Sequence, residues 1–75
     1  MENFKENTAF KLNDGNKYWV IKRLEMENII FYYTIKMVKP AEVVIFADGD
    51  ELKIVDDPEI INIISAEVLK TVETL

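Results

Sequence analysis

Neither cysteine nor histidine occurs anywhere in the chain. Without cysteine there is no disulfide, and no redox compartment is implied. Without histidine, the usual metal ligand and the usual general base near neutral pH are both missing. Glycine is scarce: Gly15 and Gly49 stand alone, so there is no Gly-rich loop to cradle a phosphate. Ser65 is the single serine and lies in a helical pattern, with no histidine or cysteine to activate it. Two carboxylates can in principle share acid–base work, but nothing in the pattern suggests the cleft such chemistry requires. The expectation is a non-enzymatic domain with no catalytic residues, no cofactor and no metal.

Long apolar runs are absent as well. No stretch approaches the roughly 18 consecutive apolar residues of a membrane span. Residues 1–7 are polar and carry acids, unlike a signal peptide, so a cytoplasmic location is expected. A chain of 75 residues allows one domain, residues 1–75, with 1–6 expected to be flexible. A domain this small hides only about 60–65% of its unfolded surface. Its stability must come from a dense apolar core or from self-association, and a hydrophobic fraction of 49% points the same way.

Charge is unevenly placed. The total is −5. Residues 1–39 hold seven basic against five acidic side chains, a net of +2, while residues 40–75 hold two against nine, a net of −7. The acids crowd at Glu42, Asp48, Asp50, Glu51, Asp56, Asp57 and Glu59, with Lys53 alone opposing them. Such asymmetry speaks to partners rather than to fold.

Two Asp-Gly pairs punctuate the chain. Asp14-Gly15 separates residues 8–12 from 17–24, and Asp48-Gly49 separates 43–46 from 51–55. Asp-Gly accepts positive φ at both central positions of a type I′ turn, so each pair predicts a tight hairpin. The flanking segments are rich in aromatic and β-branched residues, as strands are. Tyr18, Val20 and Lys22 alternate with Trp19, Ile21 and Arg23, and residues 25–28 form a polar break. Residues 29–38 are apolar in both registers, the mark of a central strand covered on both sides. Lys39-Pro40 ends that strand.

The helix start is explicit. Asp57 can cap, Pro58 suits the first helical position, and Glu59 suits the positive end of the helix dipole. Beyond it Ile61, Ile64, Val68, Val72 and Leu75, with Ile60, recur at helical spacing and predict the face laid on the sheet. Asn62, Glu67, Lys70, Glu73 and Thr74 are expected to face solvent. The fold class is therefore α+β: a five-stranded antiparallel sheet or small partly open barrel with one C-terminal helix over about residues 58–73.

The two hairpin segments carry a resemblance. Asp14-Gly15-Asn16-Lys17-Tyr18-Trp19-Val20 follows a D-G-x-x-Y-x-V pattern. Asp48-Gly49-Asp50-Glu51-Leu52-Lys53-Ile54-Val55-Asp56-Asp57 follows D-G-x-E-L-x-x-V-x-D. Over residues 8–60 the chain resembles a family of short acidic domains of unknown function from low-GC Gram-positive bacteria and their phages. It departs from that family in the more apolar stretch 29–39. The resemblance implies no catalytic activity and places the protein in a bacterial or phage-infected cell. Usage rich in Lys, Asn, Ile and Glu fits an AT-rich gene of that kind.

Three constellations are candidates for function. Asp48, Asp50, Glu51, Asp56, Asp57 and Glu59 predict an acidic surface that meets a basic protein surface. Carboxylates at strand-rise spacing can stand in for backbone phosphates in a nucleic-acid groove, so an inhibitor of a nucleic-acid-handling or defence protein is the sharper form. The same acids read as a calcium loop fail, because Gly49 follows the first acid immediately. A second constellation, Trp19, Tyr32, Lys22, Arg23 and Lys36, would suit stacking and phosphate contact with single-stranded nucleic acid, although a pI near 4.6 opposes it. The aromatic set Tyr18, Trp19, Phe31, Tyr32, Tyr33 and Phe46 reads equally as core. Third, apolar surface is in surplus: Ile30, Tyr32, Trp19 and Ile21 on a second sheet face, Ile63 and Leu69 off the helical stripe. Either the sheet curls into a barrel or a second copy, in a homo-oligomer, covers the patch.

Overall fold

The structure, a computed structural model, describes residues 3–73, the last three by their backbone alone. Five strands, β1 (Ala9–Lys11), β2 (Lys17–Met26), β3 (Ile29–Lys36), β4 (Glu42–Asp48) and β5 (Leu52–Ile54), precede one helix, α1 (Pro58–Glu73). The strands form one meander in the order β1-β2-β3-β4-β5, every neighbour antiparallel. The sheet curls into a half-barrel. In a flat sheet β1 and β4 would lie about 14 Å apart, three strand spacings. Here the Phe10 ring of β1 meets the Phe46 ring of β4 edge-on, with centroids 5.6 Å apart.

Each face has its own core. The concave face buries Tyr18, Val20, Ile30, Tyr32 and Phe46, with Phe4, Phe10, Leu12, Val44 and Leu52 packed around them. The convex face buries Phe31 and Ile45 against Ile64 of α1, flanked by Leu24, Met26, Ile29, Val55, Ile60 and Ile61. This is why β3 is apolar in both registers: even positions feed one core and odd positions the other. Buried Thr34 satisfies its hydroxyl by donating to the Val44 carbonyl at 2.6 Å. The surplus apolar surface is thus partly absorbed by curling.

An irregularity in β2 makes the second core possible. Val20 opposes Thr34, yet Lys22 opposes Tyr33, so Ile21 is an extra residue in a bulge. The simple alternation expected along 17–24 therefore breaks. Beyond the bulge Leu24 and Met26 face the helix, while Arg23 and Glu25 share the register of Tyr32 and Ile30.

The hairpin turns sit where expected, but their chemistry differs. At the first, the Gly15 N–H donates to the Leu12 carbonyl at 2.9 Å, and only Gly15 has positive φ, +85°. That is a longer loop with a left-handed glycine, not a type I′ pair at Asp14-Gly15. Gly49, unlike Gly15, does not have positive φ, and Gly49, Asp50 and Glu51 bridge the Asp48–Leu52 pair. The tight turn with two positive φ values lies at Glu27 (52°) and Asn28 (67°), inside the stretch read as a polar break.

The described part of the N-terminal stretch, residues 3–6, makes contacts with the sheet. Phe4 stacks on Phe10 (3.9 Å, 8°), and its backbone N–H donates to the Tyr32 hydroxyl at 3.2 Å. Glu6 accepts a hydrogen bond from the Arg23 backbone N–H at 2.9 Å. The α1 cap is as expected: the Asp57 carboxylate accepts from the Glu59 N–H at 2.9 Å. Ile64 and Val68 are buried and Ile63 and Leu69 exposed. Of the predicted helical faces, the side chains of Val72 and Glu73, and residues Thr74 and Leu75, lie outside the described residues.

Candidate interaction surface

The predicted acidic set divides at once. Asp50, Glu51, Asp56, Asp57 and Glu59 are exposed, but Asp48 is 2% exposed. Asp48 is therefore corrected from surface residue to core residue. The reason is the length of β4, which runs two residues past Phe46. Strand alternation then puts Asp48 in the inward register of Val44 and Phe46. Both of its carboxylate oxygens are inaccessible and lack a hydrogen-bond partner. With Asp48 inside and Asp50 and Glu51 outside, the three do not converge on a cation. Among the described residues no cluster of three or more acids is arranged to hold one.

The remaining acids gather at one end of the convex face. A depression of about 420 Å³ is walled by Asp57 and Glu59 of the helix start, Glu27 of the β2–β3 turn, and apolar Met26, Phe31 and Ile63. A second, of about 360 Å³, is lined by Asp50, Glu51 and Lys53 of the β4–β5 hairpin with Ala47. Ile29 lines both, so the depressions meet there. The acids thus straddle an apolar floor in two groups; they do not form the single line that the strand-spacing picture implied. Lys53 is the one cation lining either depression, and it pairs with Glu51 at 3.5 Å. Glu27 was missed in the sequence reading because a glutamate with positive φ gives no turn signal. Asp56 is exposed but lines neither depression.

The alternative nucleic-acid set does not assemble. Tyr32 is wholly buried, a correction to its place on a stacking platform. Its ring packs edge-on against Phe4 at 5.3 Å. The bulge puts Trp19 and Lys22 in convex registers, while Arg23 and Lys36 oppose the inward Tyr32 and Tyr18. Lys22 lies 3.8 Å from Glu6, which offsets its charge. Trp19 remains 40% exposed with no second aromatic of the set beside it for a base to bridge.

Two titratable groups are displaced from their ordinary values. Hydrogen bonds from Asn16, its backbone N–H first, hold the exposed Asp14 carboxyl below the usual carboxylate range. Burial of the ring, and then the Asp14 charge, push the Tyr18 hydroxyl up. That hydroxyl donates to Asp14 at 3.4 Å, so the pair locks the first hairpin and is remote from the acidic end. Ser65 is half-buried on α1, lining a groove with Tyr33, Lys36 and Glu42.

No family model, curated protein or solved structure matches the chain. Among the described residues no helix is long and apolar enough to cross a membrane.

Proposed function

We propose that the chain is a non-catalytic protein-interaction domain that docks its acidic, apolar-floored end onto a positively charged partner surface. One observation carries this reading: Asp50, Glu51, Asp57, Glu59 and Glu27 surround adjoining depressions floored by Ile29, Phe31 and Ile63. Carboxylates at a rim steer a basic partner and fix its orientation, while buried apolar contact supplies affinity. The partner chemistry that fits is a basic surface with an apolar anchor. In its sharper form the domain is a phage or mobile-element inhibitor of a bacterial nucleic-acid-handling or defence protein, its carboxylates standing in for phosphates. A nucleic-acid-binding role is disfavoured by the burial of Tyr32 and the division of the basic residues between faces.

The test is affinity capture from a Gram-positive lysate at low and high salt. The intact domain is compared with a variant carrying Asp50→Asn, Glu51→Gln, Asp57→Asn and Glu59→Gln. The reading expects captured proteins that are lost at high salt, lost from the variant, and displaced by added duplex DNA. A retained set identical for both domains contradicts it.

A further inference from the structure

The half-barrel is open between its two edge strands, β1 and β5, and the gap has a definite chemistry. In an up-and-down meander of five antiparallel strands, the edges β1 and β5 run parallel to each other. One additional strand lying between them can therefore be antiparallel to both. Neither edge pairs with a further strand among the described residues. Between them lies an open cavity of about 620 Å³, bounded by Leu12 on one side, Leu52 and Ile54 on the other, and Phe4 and Phe46 at its floor.

The registers specify what would fill it. Phe10 opposes Tyr18 while Leu52 and Ile54 oppose Asp48 and Phe46, so these edge residues face the concave core. Lys11 opposes Lys17 and Lys53 opposes Ala47, so both lysines lie in the outward register. Ile54, 62% exposed, is an apolar edge residue left in water. We propose that this seam accepts an extended segment of a partner protein, long enough to span the three-residue edges β1 and β5. Apolar side chains would point inward, and an acidic side chain outward beside Lys11, since Lys53 is already paired with Glu51. Main-chain hydrogen bonds to both edges give affinity, and alternate side chains give specificity, as in strand addition to a sheet edge. Lys11 carries no ion pair among the described residues, so an incoming carboxylate meets an uncompensated cation. The seam shares Lys53 with the acidic end, but none of its other lining residues, and it does not rest on the acidic end.

The probe is an acetylated, amidated hexapeptide alternating valine and glutamate, titrated into the ¹⁵N-labelled domain at low salt. The expected result is saturable shifts and slowed amide exchange confined to Ala9–Lys11 and Leu52–Ile54. Binding should fall at least fivefold for the lysine-for-glutamate peptide, for Ile54→Asp and for Lys11→Glu. Both substitutions are at exposed positions, and the unperturbed remainder of each spectrum reports that the fold is kept. A control with Asp57→Asn and Glu59→Gln should bind as the parent does, which separates this seam from the acidic end. Absence of saturable binding at millimolar peptide, equal binding of the lysine peptide, or shifts centred on Ile29 would overturn the proposal. So would edge shifts that grow with protein concentration alone, since the occupant would then be a second copy.

Discussion

Asp48 is the residue at which local chemistry and final position disagree most. In sequence it stands among acids before a glycine and reads as part of a solvated turn. In the fold it is a carboxylate without a hydrogen bond, inside an apolar core. Burying a carboxyl group with no hydrogen-bond partner is costly, and an amide in its place is less so. Asp48→Asn is expected to raise stability by about 1 kcal/mol, a rise in melting temperature of about 4–8 °C for a domain of this size. Urea unfolding measures it, and a loss of stability would mean that the carboxylate has a function in the core. Tyr18 sets a second expectation. Its hydroxyl is raised above the unfolded value of about 10, so its contribution is complete below that pH and disappears as pH rises through the folded value. Thermal stability should therefore fall more steeply above about pH 10 for the parent than for Tyr18→Phe.

At the scale of elements, the hairpins and helix were legible because their signals are chemical. Asp-Gly pairs marked two turns, and Asp57-Pro58-Glu59 marked the helix start. The third hairpin was hidden because Glu27 and Asn28 adopt positive φ without the glycine that usually advertises it. That strain is removable: Asn28→Gly is expected to stabilise by up to about 1 kcal/mol, read from the urea midpoint at unchanged slope. The bulge at Ile21 left no trace in sequence either, since one extra residue looks the same as one more step of alternation. Its consequence is large, because it alone brings Leu24 and Met26 beneath α1. The acidic site was legible to the same extent. Exposed turn and cap positions give away Asp50, Glu51, Asp57 and Glu59. The inward turn of Asp48 depends on how far β4 extends, which the sequence does not mark.

For the whole molecule, the governing feature is a sheet with two apolar faces and little material to cover them. One helix covers part of the convex face, and curling with the Phe4 segment covers part of the concave face. Among what remains uncovered are an acidic end around Ile29 and a seam between β1 and β5, besides exposed Trp19, Met37, Val43 and Leu69. The most direct measurement of the central claim is an NMR titration of the ¹⁵N-labelled domain with a lysine–leucine amphipathic helical peptide. The account predicts shifts at Glu27, Ile29, Asp50, Glu51 and Glu59 that weaken steeply as salt rises. Shifts spread evenly over the surface, or insensitive to salt, would contradict it.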